Sequence, residues 1–114
     1  MIKKYTNHVE KLLISEQKIQ LKLTIEEDLF WFQGHFDQYP ILAGVVQVDW
    51  VIHYFHQFMN SEKIFDGLVN VKFQQPIIPH EEILLTIEYE QEKNYLIFQY
   101  EAQDVKSKGK MRLK

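Results

Sequence analysis

Ile19, Leu21, Leu23 and Ile25 alternate with Lys18, Gln20, Lys22 and Thr24, a two-residue period that predicts a strand with one buried face. Val9, Leu12 and Ile14 predict a weaker strand before it, turning near Ser15-Glu16. Over residues 43–59 the pattern changes. Val45, Val46, Val48, Trp50, Val51, Ile52, Tyr54, Phe55, Phe58 and Met59 cover almost every side of a helix. A helix apolar all round is expected to be enclosed by the rest of the fold, and about 17 residues is too long for an ordinary strand. Leu68 to Gln74 predicts a further strand. So do Ile83, Leu85, Ile87 and Tyr89 in alternation, and Tyr95 to Glu101, with a turn at Glu92-Lys93-Asn94 between the last two. Met111 and Leu113 end a final strand, and Pro40, Pro76 and Pro79 all fall between elements, where proline is tolerated. One long antiparallel sheet wrapped around one central helix is the simplest α+β arrangement that buries such a helix. No linker or repeat divides residues 1–114, so a single domain is expected.

Composition narrows the function classes. With 114 residues, 46% of them hydrophobic, the core is thin and association would help it. Aromatic residues make up 14%, which suits a deep apolar pocket or a buried interface. The net charge of −3 argues against nucleic acid or an acidic membrane surface as partner. No cysteine is present, which excludes disulfides and thiolate metal sites. The longest apolar run, Ile41 to Val46, is far short of the ~20 residues of a membrane span. No apolar leader core follows Lys3-Lys4, so a cytoplasmic location is expected.

The chemistry concentrates between residues 31 and 50. His35 sits in a loop between aromatic residues, and Asp49 follows fourteen residues later inside the apolar helix, with Gly44 near the helix start. An imidazole takes up a proton near neutral pH. A carboxyl desolvated by an apolar helix would keep a proton ready to donate. The helix N-terminus offers free N–H groups and partial positive charge to a carbonyl oxygen, and Gly44 would let a substrate approach that backbone. Asp49, His53, His56 and Asn60 share one helical face. No third ligand set accompanies them, so the helix's solvent edge is the plainer reading and neither metal nor organic cofactor is expected. Lys106, Lys108, Lys110, Arg112 and Lys114 alternate along the terminal strand, a solvated face that could also meet an acidic carrier protein.

Gly34-His35-Phe36, Pro40-Ile41, Gly44-Val45-Val46 and Asp49, followed by Asn70-Val71-Lys72-Phe73 and Pro76-Ile77-Ile78-Pro79, resemble the signature of the 3-hydroxyacyl-ACP dehydratases, the FabA/FabZ group. "FWFQGHF" and "VDW" resemble most the ApeI-like dehydratases of aryl-polyene biosynthesis. The resemblance implies a hot-dog fold and a dimer with active sites between subunits. His35 would abstract the α-proton, and Asp49 from the partner subunit would protonate the departing 3-hydroxyl or hold a water. The Gly44 N–H would bind the thioester carbonyl, and the Ile41 carbonyl would orient the imidazole. Phe36 and Val45 complete the expected substrate-contacting set. The substrate would be a 3-hydroxyacyl thioester on acyl carrier protein, and the assembly a homodimer or a heterodimer with another hot-dog subunit. This sequence departs from the family pattern at Asp37, Ala43, the Pro79-His80-Glu81 turn and His53, where the family has Pro, Pro, Pro-Gly-Asp and Gln. A hot-dog acyl thioesterase and a non-catalytic acyl-ACP-binding subunit are the alternatives.

Overall fold

The computed structural model describes residues 2–32, 40–59 and 62–114. Six antiparallel strands form one sheet: β1 (Val9–Ile14), β2 (Lys18–Thr24), β3 (Phe65–Phe73), β4 (Glu82–Glu90), β5 (Tyr95–Glu101) and β6 (Val105–Leu113). The one long helix among the described residues, α1 (Gly44–Met59), lies between β2 and β3 in sequence. The strands pair in the order β1-β2-β4-β5-β6-β3. The chain therefore leaves β2 near one edge, runs through α1, and returns as the opposite edge strand.

Register puts the alternating apolar sets on one face. Ile19, Leu21 and Leu23 of β2 stand opposite Ile87, Leu85 and Ile83 of β4, and Leu85 and Ile87 stand opposite Tyr100 and Phe98 of β5. All of these are buried together with Val46, Trp50, Val51, Tyr54 and Phe55 of α1. A one-residue slip would turn every one of them to solvent, so the pattern specifies the pairing strongly. The turn expected at Glu92-Lys93-Asn94 closes β4 onto β5 with Asn94 at φ 56°, a left-handed conformation that asparagine tolerates better than most residues.

Three expectations are corrected. The helix is not enclosed on all sides: the sheet covers the face carrying Val46, Trp50 and Tyr54, while Val45, Asp49 and His56 are exposed. Asp49 is consequently not desolvated by this chain. One chain supplies one sheet face, and a helix resting on it keeps an outer stripe. The third difference is the start of β3 at Phe65 rather than Leu68. Gly67 adopts φ 121° and the pairing with β6 shifts register on either side of Leu68. The edge strand thus runs on through a bulge that glycine permits.

The tight turn before β4 places His80 at φ 74°, the position at which the family pattern has glycine. The left-handed region costs a residue with a Cβ roughly 1–2 kcal/mol, partly offset by the greater unfolded-state freedom of glycine. The His80–Glu27 pair at 3.2 Å is largely exposed and contributes little. His80→Gly is expected to stabilise the fold by up to about 1 kcal/mol in urea denaturation, and a loss of stability would contradict this account of the turn.

Candidate active site

The start of α1 is set by a buried polar cluster. Gln47 lies on the helix face shared with Trp50, Val51 and Tyr54, and is 3% exposed. Its side-chain Nε2 donates to the Leu42 carbonyl at 2.9 Å. Its Oε1 accepts from the Ser107 hydroxyl of β6 at 2.6 Å, and its backbone carbonyl accepts from the Tyr100 hydroxyl of β5 at 2.6 Å. The segment entering the helix is fixed by the Leu42 N–H, which donates to the Ile77 carbonyl at 2.8 Å. Both Leu42 and Ile77 are buried. The first turn of α1 is thereby tied to two strands and to the β3–β4 connection.

Ala43 caps the helix, its carbonyl accepting from the Val46 and Gln47 N–H groups at 3.0 and 3.1 Å. Alanine has no side-chain acceptor for the first-turn donors. Among the described residues no backbone acceptor meets the N–H of Gly44 or Val45. A carbonyl oxygen placed there would find donors and the positive end of the helix dipole. The bare Cα of Gly44 serves a neighbour instead of leaving open space. A Cβ at that position would meet the Phe73 ring, 2.5 Å from its nearest carbon, so glycine allows the end of β3 to lie against the helix start.

Asp49 stands one turn past Val45 on the outer stripe of α1. Its Oδ2 accepts from the Tyr5 hydroxyl at 2.8 Å. The Tyr5 ring stacks on His53, with centroids 3.7 Å apart and planes 8° apart. Burial, and secondarily the Asp49 carboxylate, push the Tyr5 phenol up to about 12. Burial holds the His53 imidazole below its usual value, partly opposed by Asp49. His56 shares a hydrogen bond with the Lys63 carbonyl at 2.8 Å. These two histidines are thus engaged in packing and in a loop contact.

Of the residues singled out in the sequence, Gly44, Val45 and Asp49 share the N-terminal half of α1. Ile41 lies exposed just before it. His35 and Phe36 fall outside the described residues. Sequence reasoning missed Tyr5 and Gln47. Gln47 was legible, being a polar residue at helical spacing from Trp50, Val51 and Tyr54. Tyr5 had no local signal, because it meets Asp49 across 44 residues.

The segment bearing Tyr5 is held by Glu26. The Glu26 carboxylate pairs with Lys3 and accepts from the Thr6 hydroxyl and the Asn7 N–H, each at 2.7 Å. Burial raises the Glu26 carboxyl, but these donors outweigh it and hold the group at about 2, against 4.5 ordinarily. A depressed carboxylate contributes stability that is complete above its unfolded value and declines as pH falls through the folded one. The stability deficit of Glu26→Gln is therefore expected to shrink as pH drops from 4.5 toward 2. Urea denaturation across that range checks it, and a deficit that does not vary with pH would show that the anchor is not ionic.

Six antiparallel strands laid along one long helix in this order define a hot-dog fold. The sequence profile of the ApeI-like family, ApeI dehydratase, matches residues 10–110, and the chain belongs to that family. A chain of the dehydratase heterocomplex ApeI:P from Xenorhabdus doucetiae is 34% identical, with TM-score 0.84, over 94% of each chain. An uncharacterized protein from Erwinia carotovora subsp. atroseptica is also 34% identical, with TM-score 0.80, over 94% of this chain and 96% of that one. The 3-hydroxyacyl-[acyl-carrier-protein] dehydratase FabZ of Koribacter versatilis is 28% identical over 76% of this chain. The match covers 66% of that enzyme, so the chain spans just under two thirds of its length.

Proposed function

We propose that this protein dehydrates 3-hydroxyacyl thioesters on acyl carrier protein to the trans-2-enoyl thioesters, in fatty-acid or aryl-polyene type biosynthesis. The observation that carries the reading is the placement of Asp49. In a chain of the ApeI dehydratase family, its carboxyl stands on the outer stripe of α1, one turn beyond helix N–H groups that lack a backbone acceptor among the described residues. The thioester carbonyl accepts from the Gly44 N–H, which stabilises the enolate that forms when the α-proton leaves. His35 takes that proton from C2. The C3–O bond breaks as Asp49 protonates the departing hydroxyl, releasing water. The proton on His35 then returns to the Asp49 carboxylate through solvent, and both groups are restored. Phe36 and Val45 line the acyl chain, and the Ile41 carbonyl orients the imidazole.

A second hot-dog subunit completes the site. Edge strand β3 exposes Phe65, Leu68, Val69 and Phe73, and nearby Ile41, Val45 and Ile78 are exposed too. An apolar edge of this kind favours pairing with another strand. A partner seated there would cover the stripe bearing Asp49 and bring in its own His35. The Xenorhabdus relative belongs to a dehydratase heterocomplex, which favours a second hot-dog chain of different sequence as an alternative to a homodimer.

Incubation of the purified chain with a 3-hydroxyacyl-ACP, read by mass spectrometry of the carrier-bound acyl group, is expected to show loss of one water. Release of free acid and carrier thiol would move the protein to the thioesterases. An acyl group unchanged by the chain alone but dehydrated after co-expression with a second hot-dog chain would identify the heterodimer as the enzyme.

A further inference from the structure

The N-terminal segment before β1 is pinned across the outer stripe of α1. The Lys4 carbonyl accepts two indole N–H groups, from Trp31 at 2.7 Å and from Trp50 at 3.0 Å. The Lys3 carbonyl accepts from the Phe30 N–H at 2.7 Å, and Glu26 binds Lys3, Thr6 and Asn7. Tyr5 lies between these anchors. Trp50 is fully buried and follows Asp49 directly. Adjacent helix residues therefore hold adjacent residues of the segment: Trp50 binds the Lys4 carbonyl and Asp49 binds the Tyr5 hydroxyl. His53 braces the phenol ring from the next turn of the same stripe.

This contact divides the two carboxyl oxygens. Oδ2 accepts the Tyr5 hydroxyl, whereas no hydrogen-bond partner meets Oδ1 among the described residues. A carboxyl oxygen engaged by a donor is the poorer site for a proton. We propose that Tyr5 is the positioning residue for Asp49: it fixes the carboxyl rotamer through Oδ2 and leaves the transferable proton on Oδ1. This inference rests on the proposed acid role of Asp49 and adds which oxygen carries the proton and what holds it. The phenol stays protonated, and so remains a donor, at any pH below its raised value of about 12. General acid catalysis needs hydrogen-bond reach to the leaving group, and misplacement by about 1 Å costs up to about 100-fold, so an untethered carboxyl is a slower acid.

Tyr5→Phe tests this, since it keeps the ring stacked on His53 and removes only the hydroxyl. In steady-state dehydration of 3-hydroxyacyl-ACP by the full chain, with its partner subunit if one is required, kcat is expected to fall about tenfold. KM and thermal stability are expected to be unchanged, and Tyr5→Phe is expected to cause no further loss in an Asp49→Asn background. A second measurement needs no turnover. With tyrosine labelled at Cζ, the Tyr5 NMR resonance is expected to move upfield on Asp49→Ala, as the acceptor oxygen is lost. A Tyr5 resonance indifferent to Asp49→Ala would overturn the contact itself. Normal kcat in Tyr5→Phe beside an inactive Asp49→Asn would overturn the positioning role alone. Full turnover in Asp49→Asn would overturn the acid role and the positioning role with it, even where the NMR contact is seen.

Discussion

Asp49→Asn is expected to lower kcat/KM for dehydration by about 10³-fold, the middle of the range for a general acid, and to leave the fold intact. Asparagine is nearly isosteric, and the position is exposed on α1, so no packing is lost. The amide oxygen can still accept from Tyr5, which keeps the N-terminal segment in place. On the proposed acid role, the substitution therefore removes the transferable proton and little else. His35→Ala is expected to cost a similar factor through loss of the proposed base. Combining the two should cost less than the product of the single effects, because groups that act in one proton-transfer sequence are not additive. Purified variants compared by kcat/KM, with circular dichroism as a check on folding, decide the point. An Asp49→Asn enzyme within tenfold of the parent would remove Asp49 from the chemistry.

Gln47→Leu is expected to produce the largest change in stability, a loss of about 3 kcal/mol. The side chain serves two buried groups, the Leu42 carbonyl and the Ser107 hydroxyl. Leucine fills the volume but leaves both without partners, at about 1–3 kcal/mol for each unsatisfied buried group. For a domain of this size the loss corresponds to a fall in Tm of about 10 °C or more. Removing Ser107 as well should recover part of it: Gln47→Leu/Ser107→Ala leaves only the Leu42 carbonyl stranded. The double variant is thus expected to be more stable than Gln47→Leu alone, although each change deletes a hydrogen bond. Two losses that simply add in chemical denaturation would mean that the two side chains do not share a bond. Because Leu42 leads into the helix N-terminus, a loosened first turn should also weaken thioester binding, raising KM in the variants that remain folded.

Strand and helix placement followed from periodicity because one rule, apolar positions on one face, governs both the local pattern and the final packing. β2 and β5 run where the alternation places them, and the helix occupies nearly the whole apolar stretch. Pattern was a weaker guide where a residue's neighbours come from afar. The apolar outer residues of α1 suggested full enclosure, whereas this chain has one sheet and covers one helix face. Val45 stays 78% exposed, and Asp49 on the same stripe is exposed as well. The bulge at Gly67 likewise lengthened an edge strand beyond its regular alternation.

By itself the sequence determined the hydrophobic alternation, the helix and the His35, Gly44 and Asp49 spacing that marks the family, because these depend on residues close together along the chain. Tertiary structure alone decided that Gln47 bridges the helix start to β6, that Phe73 occupies the space beside Gly44, and that Tyr5 holds one oxygen of Asp49. Each of these contacts joins segments distant in sequence, and its geometry exists only once the sheet register and the helix crossing have brought them together.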